Sequence, residues 1–161
     1  MATDKWPSGD KCSEPDLKRP IRILLVDNFA PFRRLVRSIL TKQPALQVIG
    51  EVPDGLGAIQ KAEELQPDLV LLDLDLPLMN GFEATRQIRQ ISAASKLLFV
   101  CEDRAFEIAR EALRLGAGGY VLKSDVVAEL LPAIEAVLQG KRFISADLSG
   151  RTFAARHQEL Y

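Results

Sequence analysis

The apolar residues of the chain form two recurring patterns, short continuous runs and stripes with helical spacing. Runs of strand length that are rich in Leu, Ile and Val indicate buried parallel strands. They occupy residues 21–26, 46–52, 69–72, 96–100 and 120–122. Between them, apolar residues recur at intervals of three and four, which indicates amphipathic helices that bury one face. The pattern therefore predicts five strands, each followed by a helix.

The regular alternation of strands and helices predicts the fold class. Right-handed crossovers bring such strands into one parallel sheet with helices on both faces. We therefore predict an α/β fold with a doubly wound, five-stranded parallel sheet in the flavodoxin-like order 2-1-3-4-5. Three arginines of the first helix, Arg33, Arg34 and Arg37, are expected to form a solvated face, with docking of an acidic partner as the alternative.

Composition narrows the class of protein further. The chain has 161 residues, a net charge of −1 and two cysteines, Cys12 and Cys101. This length suits one domain, the charge gives no general attraction to nucleic acid, and the cysteines do not form a disulfide framework. The N-terminal residues lack the apolar segment of a signal peptide, and no apolar run is long enough to span a membrane. We predict a cytoplasmic protein without membrane contact.

The same patterns predict the domain boundaries. Residues 1–20 are polar and are predicted to be a flexible leader, and residues 21–145 are predicted to be the folded domain. Residues 146–161 are predicted to be a tail, either helical and packed on a groove or a second copy of the chain, or unstructured. Because few residues follow Gly140, the tail is too short for a DNA-binding domain, and we expect no direct nucleic-acid binding by this chain alone.

Polar residues follow four of the predicted strands, at the point where each strand ends. They are Asp27 with Asn28, Asp73, Cys101 and Lys123, and Asp75 lies two residues beyond Asp73. In doubly wound sheets the carboxyl ends of the strands gather at one edge, where ligands bind. Crowded carboxylates need a bridging cation, oxygen donors suit Mg²⁺, and a carboxylate is a nucleophile toward phosphorus. The alternative is a set of strand-end residues that cap helices, with Lys123 paired to Asp73.

Three motifs carry a resemblance to one family. They are Leu-Leu-Val-Asp27-Asn28-Phe, Leu-Leu-Asp73-Leu-Asp75-Leu-Pro77-Leu-Met-Asn-Gly81 and Gly116-Ala-Gly-Gly-Tyr120-Val-Leu-Lys123. Over about residues 21–145 the chain resembles the receiver domain of two-component response regulators. The third motif, together with Gln-Gly-Lys-Arg-Phe-Ile-Ser after the last helix, is similar to the branch that usually carries a LuxR-type DNA-binding domain.

This resemblance implies a signalling switch rather than a turnover enzyme. Asp73 is implied to be the phosphoacceptor, loaded from a histidine kinase or a phosphotransfer protein, and Lys123 to bridge the acceptor and the phosphate. Asp27, Asn28, Asp73 and the backbone carbonyl of Asp75 are implied to hold Mg²⁺. The implied output surface runs from the fourth to the fifth helix and binds a downstream protein, or a second copy in a homodimer.

Two residues depart from the family pattern. Asn28 replaces the second acid of the metal pocket, so the Mg²⁺ affinity is expected to fall. Cys101 stands at the position of the family's switch Ser or Thr, and a thiol is a weak donor, so the relay to the switch aromatic Tyr120 is expected to weaken. Cys101 is interpreted as a small buried apolar residue or, alternatively, as a redox-sensitive thiolate favoured by Lys123.

The sequence leaves two functions open beside the phosphoreceiver. A degenerate receiver that acts as a phosphorylation-independent interaction adaptor would explain Asn28 and Cys101. The Asp73-x-Asp75 spacing also occurs in Mg²⁺-dependent phosphatases, although here the pair follows the third strand. Within the phosphoreceiver hypothesis, Asp75 and Asp103 are expected to influence how water reaches the phosphate.

Overall fold

The structure of the protein, a computed structural model, describes residues 19–148 and is built from alternating strands and helices. The elements are β1 (Ile21–Val26), α1 (Ala30–Leu40), β2 (Leu46–Val52), α2 (Gly55–Leu65), β3 (Leu69–Leu72), α3 (Gly81–Ile91), β4 (Lys96–Cys101), α4 (Phe106–Arg114), β5 (Gly119–Leu122), α5 (Val126–Leu138) and β6 (Phe143–Ile144). A 3-10 turn, Lys123–Asp125, separates β5 from α5.

The strands form one parallel sheet in the order β2-β1-β3-β4-β5-β6. The predicted doubly wound class and the order of the first five strands are confirmed. The predicted number of strands was one too few, because β6 pairs with β5 at the edge of the sheet. With two residues, β6 is too short to give a periodic signal in the sequence, and its pairing depends on the neighbouring strand.

The sheet separates two apolar layers, each closed by its own helices. On one face α2, α3 and α4 pack through small or aliphatic residues such as Ala58, Ala62, Ala84, Ile88, Ala109 and Ala112. On the other face α1 and α5 pack through Val36, Leu40, Leu130, Ala133, Ile134 and Val137. Because β1, β3, β4 and β5 are covered on both faces, their residues are almost all buried. This burial fixes the strands whose carboxyl ends carry the predicted site.

The structure describes only part of the segments that lie outside the predicted folded domain. Residues 1–18 of the predicted leader and residues 149–161 of the predicted tail lie outside the described residues. At the start of the tail, Ala146, Asp147 and Leu148 are helical. Within residues 19–148, no helix combines the length and the apolar character needed to cross a bilayer.

Candidate functional site

Two buried carboxylates and one lysine form the centre of the site. Asp27 and Asp73 directly follow the neighbouring strands β1 and β3, and they are 2% and 6% exposed. Lys123, directly after β5, places its Nζ 2.8 Å from Asp27 Oδ2 and 3.0 Å from Asp73 Oδ2. Three residues that are distant in sequence therefore meet at one edge of the sheet, as the strand-end pattern predicted. The alternative pairing of Lys123 with Asp73 is present, but Lys123 is shared with Asp27.

The other oxygen of each carboxylate is held by backbone amides. Asp27 Oδ1 accepts from the Phe29 amide at 2.8 Å. Asp73 Oδ1 accepts from the Leu74 amide at 2.7 Å and from the Asp75 amide at 3.4 Å. Because both orientations are fixed, the two Oδ2 atoms converge on the lysine.

Burial and shared charge set the ionisation of this cluster. Burial raises the pKa of Asp73, and the nearby charge of Asp27 adds to that effect, while the hydrogen bond and the charge of Lys123 oppose it. Burial alone would lower the pKa of Lys123, but its hydrogen bonds to Asp27 and Asp73 outweigh this and raise it. The ammonium group also lies 4.5 Å from the centre of the Phe32 ring, a cation–π contact. One fixed cation therefore serves two carboxylates.

The donor set of this edge fits a hard divalent cation. Asp73 lines an open cleft of about 720 Å³ together with Asn28 and Asp75, and Asp27 lies beside it through the shared contact with Lys123, so carboxylate and amide oxygens are available as ligands. Mg²⁺ is commonly held by one or two carboxylates and keeps several waters. Within the described residues, no three His, Cys, Asp or Glu side chains cluster closely enough for a cage of protein ligands. The residues therefore fit Mg²⁺ with a largely aqueous shell.

The third helix approaches the phosphoacceptor candidate closely. A Cβ atom on Gly81 would lie 2.4 Å from the carbonyl oxygen of Asp73 and 2.8 Å from Leu74 Cα. Since both neighbours are backbone atoms, only glycine fits at the start of α3. Asn80 caps that helix by accepting from the Glu83 amide at 3.0 Å. The Asn-Gly pair therefore holds the loop after Asp73 against the pocket.

Cys101 lies in the pocket as a buried thiol. It ends β4, is 1% exposed and lines the same cleft as Asp73 and Lys123. Burial raises its pKa well above the ordinary value, and the charge of Asp73 raises it further. Both effects favour the protonated thiol over the thiolate, which supports the interpretation of Cys101 as a small buried residue. Cys101 belongs to the apolar cluster on the α2–α4 face of the sheet.

Tyr120 occupies an inward position beside Cys101. It is 0% exposed, and its ring stacks on Phe99 with the centroids 6.3 Å apart. Its hydroxyl donates to the backbone carbonyl of Asp103 at 2.8 Å, and burial raises its pKa. The predicted switch aromatic thus contacts the loop after β4, and a backbone oxygen is its anchor.

One site residue was missed by the sequence interpretation. Arg33 donates to the carbonyl oxygen of Asp27 and pairs with Glu51 at 3.2 Å, so the prediction of a solvated face is wrong for this arginine. Arg37 also pairs with Glu51, at 2.6 Å, but remains half exposed. Arg33 follows Asp27 by six residues, and that proximity to the pocket was the signal available.

Comparison with known proteins places the chain in a family. A sequence model of the response regulator receiver domain matches residues 23–135. The chain belongs to this family and is a response regulator receiver domain of two-component signal transduction.

Individual relatives agree with this assignment. The chain is 34% identical over 132 residues to the nitrate/nitrite response regulator protein NarL of Escherichia coli K12, covering 82% of this chain and 61% of that protein. It is 33% identical over 138 residues to the transcriptional regulatory protein LiaR of Bacillus subtilis, covering 83% and 64%. The chain thus spans about three fifths of the length of these curated relatives.

A solved structure has the same fold at a similar identity. The crystal structure of a LuxR-family two-component response regulator from Aurantimonas sp. SI85-9A1 matches with a TM-score of 0.81 and 38% identity, covering 85% of this chain and 98% of that one. A protein-glutamate methylesterase/protein-glutamine glutaminase of Koribacter versatilis is 41% identical over 107 residues, which are 65% of this chain and 29% of that enzyme. A matching domain therefore occurs in relatives that are named as regulators and in relatives that are named as enzymes.

Proposed function

We propose that the domain accepts a phosphoryl group on Asp73 from the phosphohistidine of a histidine kinase or a phosphotransfer protein. The observation that carries the proposal is the position of Lys123 between Asp27 and Asp73 at 2.8 and 3.0 Å. A lysine held there by two carboxylates is a fixed positive charge beside the nucleophile, as stabilisation of phosphoryl oxygens requires.

The transfer step uses groups of this chain and the donor. An Asp73 oxygen attacks phosphorus, the P–N bond of the phosphohistidine breaks, and the leaving imidazole takes a proton from solvent. The Asp73 oxygen held by the Leu74 amide stays in place, while Lys123 moves its contact from Asp73 to a phosphoryl oxygen. Asp27, Asp73, the Asn28 amide and the Asp75 carbonyl are the groups that would hold Mg²⁺. When bound, Mg²⁺ supplies further neutralisation of phosphoryl charge.

The same proposal includes the cellular setting and the output. The domain acts in the cytoplasm as a switch and does not turn over a substrate. Its output partner, or a second copy of the chain, uses the surface formed by α4, β5 and α5, which we call the output face. Asp75, the second acid of the Asp73-x-Asp75 pair, is exposed on the open side of the cleft, which leaves phosphatase turnover as the least supported function.

A second function, a phosphorylation-independent adaptor, is favoured by the relay residues. Tyr120 is buried, and its hydroxyl is bonded to the backbone of Asp103. The side chain between Asp73 and Tyr120 is the thiol of Cys101. A receiver held in one state by such contacts would present its output face without phosphorylation.

Intact-mass measurement distinguishes the two functions. The full chain is incubated with a small phosphodonor such as acetyl phosphate and Mg²⁺, and one added phosphoryl group is expected. Asp73→Asn should take up none, whereas the matched variant Asp75→Asn should still be labelled. An unlabelled wild-type chain contradicts the phosphoreceiver and leaves the adaptor. Label that persists in Asp73→Asn places the acceptor elsewhere.

A further inference from the structure

A short segment at the end of the described chain, residues 143–148, packs along the edge of the sheet beside Tyr120; we call it the strap. Its first part is β6, in which Ile144 lies opposite Tyr120. The Ser145 amide donates to the carbonyl of Tyr120 at 3.0 Å, and Ser145 Oγ accepts from the Leu122 amide at 2.8 Å. The backbone and the side chain of a single serine therefore both bind β5.

An apolar side chain anchors the far end of the strap. Leu148 is 0% exposed and belongs to the same apolar cluster as Tyr120 and Ile144. Just before it, the Ala146 amide donates to a Glu129 carboxylate oxygen of α5 at 3.0 Å. A strand of two residues has too few ladder bonds to be stable alone, so the buried leucine and the bond to α5 are needed to hold the strap.

The edge strand β5 is shaped to receive the strap. A Cβ atom on Gly119 would lie 2.7 Å from the carbonyl oxygen of Phe143. No side chain tolerates a backbone atom at that distance, so any other residue would push β6 away. The approach of the strap is thus one physical reason for glycine at this position.

The strap also touches the loop that borders the phosphoacceptor pocket. Asp147 pairs with Arg104, whose guanidinium also donates to Ser124 Oγ at 3.4 Å. Arg104 directly follows Asp103, the residue whose carbonyl holds the Tyr120 hydroxyl. The loop of residues 102–105 therefore borders the pocket at one end, contacts Tyr120 through Asp103 and contacts the strap through Arg104.

We propose that the strap is an intramolecular cover of the output face that keeps Tyr120 buried. A protein partner or a second copy of the chain can then bind this face only after the strap has detached. Phosphorylation of Asp73 would shift the loop of residues 102–105 and loosen the strap. This coupling step rests on the proposed function, whereas the cover itself does not.

Amide hydrogen exchange on the full chain tests the cover. Leu148→Ala and Ser145→Ala each remove one anchor, and we expect exchange of the Leu122 and Ser145 amides to rise about tenfold while α1 and α2 stay protected. Leu40→Ala, at an equally buried leucine of α1, is the matched control and should raise exchange throughout the domain. Unchanged protection of Leu122 in both strap variants overturns the proposal, and so does an increase no more local than that of the control.

Beryllofluoride with Mg²⁺, a probe of the phosphoryl site, tests the coupling in the wild-type chain. Binding is measured as slower exchange of the Leu74 amide, and coupling as about tenfold faster exchange of the Ser145 amide. Binding without a change at Ser145 overturns the coupling and leaves the proposed function standing. Absence of binding overturns the proposed function and the coupling together, while the strap variants still decide whether the cover exists.

Discussion

The two halves of the site differ in how closely they keep the residues that the family motifs imply. The acid half, Asp27, Asp73 and Lys123, keeps its charged groups, which form ion pairs of 2.8 and 3.0 Å. The relay half, Cys101 and Tyr120, has a buried thiol where the family pattern has a hydroxyl, and its tyrosine is bonded to a backbone carbonyl. Under the proposed function, loading with phosphate and transmission of the loaded state would depend on different groups and would therefore be separable.

The difference has a physical origin. The acid half depends on formal charges at strand ends, whose positions are set by the parallel sheet. The relay half depends on one hydrogen-bond donor and on the path of a loop, and a loop can be held by backbone contacts that no side chain specifies. A substitution such as Ser or Thr to Cys therefore alters the relay half without disturbing Asp27 and Asp73.

The largest effect is expected where the acid half depends on a single cation. Lys123→Met leaves two buried carboxylates without a partner and should lower the free energy of unfolding by about 3 kcal/mol. The loss stays at the low end of the usual range because Asp73, whose pKa is already raised, can take up a proton. Urea unfolding at neutral pH measures it. Lys61→Met, at an exposed pair with Glu64, is the control and should change stability by less than about 1 kcal/mol.

These two variants test whether the acid half is more tightly fixed than the relay half. If Lys123→Met and Lys61→Met have the same stability, the lysine does not compensate the two carboxylates, and the acid half is no more tightly fixed than the relay half. A large loss for Lys123→Met alone supports the interpretation of the acid half as a closed charge cluster.

The acid half could be predicted from the sequence more completely than the relay half. Asp27, Asp73 and Lys123 each follow a recognisable apolar run, and the parallel topology brings such strand ends together. The sharing of Lys123 between two acids, and the bond from Tyr120 to the carbonyl of Asp103, depend on three-dimensional distances that no spacing encodes. Strand β6 was missed for a related reason, since its two residues are stabilised by β5 and by Leu148.

The relay half should respond to a restored hydroxyl. Cys101→Thr supplies a donor for a phosphoryl oxygen, and a hydrogen bond to a charged group should raise the affinity for beryllofluoride with Mg²⁺ about tenfold. Titration followed by amide chemical shifts measures this. Cys101→Val, which matches the shape of threonine without its hydroxyl, should leave the affinity near that of the wild type. An equal gain in both variants would show that packing and not the donor limits the relay.

A smaller effect is expected from the missing acid of the metal pocket. Asn28→Asp adds a carboxylate to the cleft and should raise the Mg²⁺ affinity about fivefold, because Asn28 is exposed and solvent screens the added charge. Isothermal titration calorimetry measures the affinity. Asn80→Asp is the control, since it adds the same charge at the cleft rim while keeping an oxygen to cap α3. A gain of the same size there would mean that net charge, rather than ligation at position 28, sets the affinity.

The smallest effect separates two acids beside the site. Both Asp75 and Asp103 line the cleft, but Asp103 Oδ1 already accepts from the Ala105 amide at 2.9 Å. Asn keeps an oxygen for that bond, so Asp103→Asn should leave the lifetime of the acyl phosphate nearly unchanged. Asp75→Asn removes an exposed carboxylate that can take a proton from an attacking water, and it should lengthen the lifetime about threefold. Loss of phosphate followed by intact mass gives both rates. Equal lifetimes for the wild type and both variants would mean that neither acid governs the approach of water. Access of water to the phosphate would then not depend on the charge at the rim of the cleft.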